Sequence, residues 1–452
     1  MRIPRQLPAI LAAILLALPA AAGAVTAETR LANGLHVIVQ EDRRAPVVTL
    51  QVWYRVGAAH EPPGRTGISH VLEHMMFKGT RDVPAGEFSR LVSRFGGDHN
   101  AFTSVHYTGY YQNYDKSRLP LAMALEADRM RQLVLDEAEF RKELDVVIEE
   151  RRLRVEDNPG ALARERFRVV ALPGNPSGQP VIGWPEDLAA LTLADLREWY
   201  DTWYAPNNAI LVVVGDVETA DVLRLAKSHF GNLRARRLPR TTIPRSAAMP
   251  GLREMTIRVP VAVPSLLMAW NVPSLMTAGN GQNDAWALAV LAGILDGGLS
   301  ARLETELVRK RKMAATIGAG YNSLERGDTL FTISGTPSGN HSPDVLRKAI
   351  HDVIDELRKA GPTAEELARV KKQVVADIVY QQDSLQGQAN LIGALAATGH
   401  DWRIKDQWSE NIQRVSGTDI QRVVRGYLVD GQLAVARIIP SAERRPAEAG
   451  TP

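Results

Sequence analysis

The sequence predicts an α+β protein made of two duplicated domains, each a mainly antiparallel sheet packed with long helices. Three observations lead there. Residues 49–56 (Thr-Leu-Gln-Val-Trp-Tyr-Arg-Val) alternate in the manner of a half-buried strand. Long segments of helical character are interspersed with such strands, the mixture expected of an α+β class. The third is internal repetition. Residues 266–273 (Leu-Leu-Met-Ala-Trp-Asn-Val-Pro) resemble the first strand, and Trp270 follows Trp53 by 217 residues. A helix opening at Asp195-Leu196 runs to Trp203-Tyr204 and precedes a strand at 209–214. A second, opening at Asp419-Ile420, runs to Tyr427-Leu428 and precedes a strand at 433–439, 224 residues later.

Taken in chain order, the first 24 residues read as a secretory signal. Arg2 and Arg5 form a positive start, residues 7–18 are apolar, and Ala22-Gly23-Ala24 fits a small-residue cleavage site. The mature chain is expected to be exported, with a bacterial periplasm as the compartment that suits this leader. No later stretch is apolar enough to cross a bilayer. A first domain is expected at 25–233, with strands at 35–39 and 49–56 joined through the charged turn 41–44. Helices are expected at 66–77, 86–95, 117–133 and 136–155. Residues 234–251 are basic, hold three prolines and lack apolar periodicity, so they read as a linker. The second copy is expected at 252–440, and the Ala/Glu/Arg/Pro-rich tail 441–452 as disordered.

Composition removes several function classes. There is no cysteine, which excludes disulfides, thiolate metal ligands and a cysteine nucleophile. Formal charge is +3, of which Arg2 and Arg5 contribute two. No Lys/Arg cluster interleaved with aromatics is present, so nucleic acid is not an expected partner.

The chemistry centres on His70-Val71-Leu72-Glu73-His74. On a helix, His70 and His74 are i and i+4, so both imidazoles reach one ion. Glu73 lies beside them. A His/His/carboxylate set with an open fourth position suits zinc, which lowers the pKa of a water toward about 7. Glu73 would take that water's proton and deliver it to the leaving amine. The third ligand should be acidic and come from another helix. Asp136 reads as an N-cap with Glu139 three residues on. The helix that follows carries Glu143 and Glu150 two turns apart on one face. Glu150 is the expected ligand and Glu143 an orienting carboxylate behind it, although helix geometry alone does not separate Glu150 from Glu149.

These motifs resemble the pitrilysin/insulysin/mitochondrial processing peptidase family of inverted-motif metallopeptidases. The likeness runs through Leu31-Ala32-Asn33-Gly34-Leu35, the segment 67–80, Gly96-Gly97-Asp98-His99-Asn100-Ala101-Phe102-Thr103 and Val147-Ile148-Glu149-Glu150. Pro180-Val181-Ile182-Gly183 and Tyr204-Ala205-Pro206-Asn207-Asn208 complete it. The resemblance implies Glu150 rather than Glu149 as ligand, seven residues after the accessory Glu143. It implies that Asn100 and Ala101 lie on an edge strand where a substrate adds as a further strand, with His99 a bystander. Aligning Val71-Leu72 with Val290-Leu291 puts Ala289, Ala292 and Gly293 where His70, Glu73 and His74 stand, so the second copy lacks the metal groups. It is expected to close the substrate chamber.

One departure stands out. The family's active members carry an arginine and a tyrosine seven apart in the second domain or a second chain. After Ser300-Ala301-Arg302-Leu303 those positions here are Val308 and Ala315, with Arg309 one residue off and Tyr321 later. The expectation is a zinc-dependent endopeptidase acting on extended peptides or unfolded segments, paired in a heterodimer with a paralogue that supplies the arginine and tyrosine. The competing expectations are a non-catalytic assembly or chaperone-like subunit and a metal-binding accessory. Glu73 argues against the last, since storage needs no general base.

Overall fold

The computed structural model describes residues 26–246, 250–279 and 283–441. The expected signal at 1–24 and all of the expected tail except Ser441 lie outside them. The first half runs β1 (Thr26–Arg30), β2 (His36–Glu41), β3 (Val47–Tyr54), α1 (Ile68–Met75), α2 (Glu87–Arg94), β4 (Asp98–Thr103) and β5 (Thr108–Asp115). It continues with α3 (Leu119–Arg131), α4 (Glu137–Arg151), α5 (Pro159–Ala171), α6 (Pro185–Ala190), α7 (Leu193–Trp203), β6 (Ala209–Gly215) and α8 (Thr219–Phe230). The second half runs β7 (Arg253–Val259), β8 (Ser265–Val272), α9 (Asn283–Leu295), β9 (Ala314–Tyr321), β10 (Thr329–Pro337) and α10 (Pro343–Ala360). Then come α11 (Ala364–Gln382), α12 (Leu385–Thr398), α13 (Ile404–Arg414), α14 (Gly417–Tyr427) and β11 (Leu433–Pro440).

Both sheets have one topology. The first is ordered β1-β2-β6-β3-β5-β4 and the second β7-β11-β8-β10-β9. Without β1 the two strand orders correspond one for one. In each, the last strand slots in parallel beside the first, β6 on β2 and β11 on β7, and every other pairing is antiparallel. The turn at 41–44 therefore does not make β2 and β3 a hairpin, because β6 lies between them. The repeat read from sequence also extends to capping. Thr192 with Asp195 and Ser416 with Asp419 each form a reciprocal box that satisfies the first N–H groups of α7 and α14.

The halves are knitted together by exchanged helices. From the second half, α12 packs on the first sheet: Ala389, Ile392, Leu395 and Ala396 meet Trp53, Ile210 and Val212. From the first half, α5 packs on the second sheet, with Ala163 and Phe167 against Ile257, Ala269 and Ala436. Trp53 is 2% exposed, and burying a side chain of that kind contributes roughly 2–3 kcal/mol. Contact this close needs Gly393, whose added Cβ would stand 2.1 Å from the Trp53 ring. Residues 234–246 and 250–252 carry no helix or strand. No helix among the described residues is long and apolar enough to cross a membrane.

Candidate metal centre

Helix α1 buries Ile68, Val71, Leu72 and Met75 and so turns His70, Glu73 and His74 to its other side. It starts at Gly67, in the left-handed region at φ 88°. A Cβ there would lie 2.7 Å from the Ile182 carbonyl oxygen, so only glycine fits. The Glu61 carboxylate accepts from Gly67 N–H at 2.7 Å and Ser69 N–H at 2.9 Å. It thereby caps a helix start that has no cap of its own. Burial pushes the Glu61 carboxyl up to about 7.

Helix α4 brings the opposing carboxylates. Asp136 accepts from Ala138 N–H and Glu139 N–H at its start, as the sequence suggested. Phe140, Glu143, Val147 and Arg151 form the buried stripe. Arg151 fixes the far end with two bonds to Glu165, at 2.9 and 2.8 Å, and one to the Gly183 carbonyl at 2.7 Å. Beyond it the backbone widens into a π turn over Arg152–Glu156, a local form that recurs at functional sites.

Between α1 and α4 the expected ligands come together. Glu150 Oε2 lies 3.7 Å from His70 Nε2 and 3.5 Å from His74 Nε2. One donor atom from each of the three residues falls within 4.8 Å of the other two. Tetrahedral zinc at its usual bond lengths would hold such atoms roughly 3.3 Å apart; the two Glu150 contacts are near that spacing, and the widest pair would draw in by about 1.5 Å at most. Burial, aided by His74 and Arg154, pulls the His70 pKa down to about 3, which keeps the imidazole neutral and its lone pair free. Glu143 Oε2 lies 3.2 Å from His74 Nδ1. With the proton on Nδ1, Nε2 is left to face Glu150. The other Glu143 oxygen is paired with Lys78. His70 Nδ1 is buried without a partner among the described residues.

Glu73 sits on the same face. Its Oε2 accepts from Thr103 Oγ1 at 2.6 Å, and burial raises its carboxyl pKa. Thr103 ends β4, the edge strand of the first sheet. Asn100 and Ala101 lie on that strand, and both line the cavity of about 1380 Å³ that contains His70, Glu73, His74 and Glu150. Asn100 Oδ1 accepts from Ala101 N–H at 2.8 Å. From the second half, Glu325 reaches this lining.

Several contributors escaped the sequence reading. Thr103 could be placed only by strand register, and Glu61 only by the fold of the loop before α1. Arg154, whose Nη1 donates to Glu150 Oε1 at 2.7 Å, had a readable signal as the i+4 neighbour of Glu150. The residues set aside have other partners, although Glu149 also lines the cavity. His99 is bonded to Ser89 at 3.0 Å and stacks on Phe77, and Glu149 is bonded to Arg152. In the second half, Ala289 and Ala292 pack on the core. Gly293 lets Val370 of α11 approach to 2.6 Å from where its Cβ would be. Val308 packs on that core as well. Arg309 bonds Glu304 at 3.3 Å, and the Tyr321 hydroxyl donates to the Pro273 carbonyl at 2.7 Å.

Both halves have counterparts among known proteins. Residues 36–183 match the family described as Insulinase (Peptidase family M16). Residues 190–374 match the family described as Peptidase M16 inactive domain. A zinc protease of Helicobacter pylori, PqqE, is 30% identical over 416 residues, 91% of this chain and 92% of that protein. This chain belongs to peptidase family M16. The crystal structure of a protease from Helicobacter pylori has the same fold at a TM-score of 0.86 and 29% identity, covering 92% of this chain and 100% of that one. The beta subunit of the mitochondrial-processing peptidase of Lentinula edodes is 25% identical, covering 92% of this chain and 90% of its own.

Proposed function

We propose that this chain is a zinc-dependent endopeptidase that hydrolyses extended peptides or unfolded segments. The observation that carries the reading is the convergence of His70 Nε2, His74 Nε2 and Glu150 Oε2 beside the Glu73 carboxylate, all in one cavity with an edge strand. When bound, zinc supplies Lewis acidity that polarises the scissile carbonyl and makes water acidic. Glu73 takes the proton of the attacking water and returns it to the leaving amine. A carboxyl whose proton affinity is raised by burial suits both halves of that task. Thr103 holds one Glu73 oxygen and so aims the other. Glu143 fixes the His74 ring. The free edge of β4 receives the substrate as an added strand, and Asn100 releases the Ala101 N–H to it. The zinc protease names of relatives support the reading. The inactive-domain match begins at residue 190, beyond all of these groups.

The arginines that line the cavity, Arg154, Arg164 and Arg168, all come from the first half, Arg154 is taken up by Glu150, and no tyrosine lines it among the described residues. Val308 and Ala315 occupy the expected positions, and neither Arg309 nor Tyr321 lines the cavity. The arginine–tyrosine pair comes, in this proposal, from a paralogous partner in a heterodimer. The leader read at 1–24 sends the chain to the periplasm. Hydrolysis of an unfolded peptide by the purified chain, alone and mixed with a paralogue carrying the pair, tests the account. The mixture should be far more active, and chelation should silence it. Full activity of the chain alone, unchanged by the paralogue, would remove the partner.

A further inference from the structure

A second cavity, of about 440 Å³, lies on the seam between the halves. Residues 239–245 form one wall, and His60, His106 and Arg326 help form the others. Every ionisable side chain in its lining is a guanidinium or an imidazole: Arg240, Arg245, Arg326, His60 and His106. Arg245 is balanced from outside the lining by Asp328 at 3.6 Å. Arg326 has only the Thr241 hydroxyl, at 2.8 Å, and no carboxylate among the described residues. Arg240 is exposed and likewise unpaired among them. His60 is held uncharged, its pKa pulled down to about 4 by burial and by Arg326 and His106. With Arg240 and Arg326 free of carboxylate partners among the described residues, the space concentrates positive potential around those two guanidinium groups.

His106 joins this cavity to the candidate catalytic one. It is 2% exposed, and its Nε2 lies 2.9 Å from Glu325 Oε2. Its Nδ1 is buried and has no partner among the described residues. Glu325 in turn lines the cavity of His70 and His74.

We propose that the seam cavity binds a phosphate-class oxyanion, with Arg326 and Arg240 as its main donors and His106 Nδ1 as a third. Guanidinium forks match phosphate oxygens two at a time. His106 turns one nitrogen to Glu325 and leaves the other without a partner among the described residues, so one ring would stand between the anion and Glu325. The volume lies within the range of small-molecule sites, which start at about 300 Å³, so pyrophosphate should bind more tightly than orthophosphate.

Calorimetric titration of the full chain with pyrophosphate, at ionic strength held constant with chloride, tests this. Saturable binding at one site per chain is expected. Both Arg326→Gln and Arg240→Gln should weaken it about tenfold or more. Arg240 is exposed, so its variant keeps the comparison valid if the other fails to fold. The zinc-loaded and metal-free proteins are titrated in parallel, because an active-site ion also attracts pyrophosphate. Binding that survives metal removal and is lost in the arginine variants supports the seam site. Binding seen only with metal, heats that follow ionic strength alone, or affinity unchanged in both variants would overturn it.

Discussion

His70 and His74 can share an ion because α1 commits its other face to the core. That logic was readable, since two imidazoles four apart on a helix must lie together. The pairing of Glu143 and Glu150 was readable for the same reason, two turns being one face. The surroundings were not. Thr103 reaches Glu73 through the register of β4, and Glu61 reaches the start of α1 through a loop without periodicity. At this scale, Glu150→Gln should reduce zinc content per chain well below one, measured by metal analysis, while the fold is kept. Unchanged stoichiometry would mean a different third ligand. Glu61 gives a stability prediction. Its folded pKa of about 7 lies above its ordinary 4.5, so the native state holds the proton more tightly than the unfolded one. Stability from this group is full below about pH 4.5 and is lost as pH rises through about 7. The span is worth about 3 kcal/mol. Denaturant titrations of wild type and Glu61→Gln across that range should show the wild type losing stability relative to the variant. Parallel profiles would contradict the assignment.

At the level of elements, the sequence placed α1, α2, α3 and α4 within a few residues and recognised the repeated strands and the helices before them, though not the caps of α7 and α14 at Thr192 and Ser416. It missed that β6 enters between β2 and β3. Strand order is decided by pairings far apart in the chain, and the charged turn 41–44 looks the same whether its strands are neighbours or next-but-one. The helix exchange was equally hidden. The apolar face of α12 is visible in sequence, but nothing local says that it serves the other half's sheet. Its closest contact, Gly393 on Trp53, yields a test. Gly393→Ala should cost about 1–3 kcal/mol, the usual penalty for overpacking, despite alanine's better helix propensity. Equilibrium unfolding measures it, and a stabilised variant would contradict the packing described.

Over the whole molecule, duplication has left one half with a donor cluster and the other with alanines and a glycine at the matching positions. The second half packs closely on the first. Its α12 completes the first core, and its β9–β10 connection carries Glu325 into the cavity. Among the described residues it supplies no arginine or tyrosine there. The mixing experiment with a paralogue therefore probes the whole assembly rather than any residue. A chain that gains activity on mixing is half of an enzyme. The fold class and duplication were legible because two offsets, 217 and 224, agreed closely. The seam cavity was not, because its cations come from the linker and both halves.

The central claim is that Glu73 moves protons at a metal centre built by His70, His74 and Glu150. The most direct test is Glu73→Gln, with zinc content and peptide turnover measured on the same preparation beside its partner. The account predicts zinc retained at the wild-type stoichiometry and turnover reduced by about 100- to 10,000-fold. Near-wild-type turnover with zinc bound would contradict it.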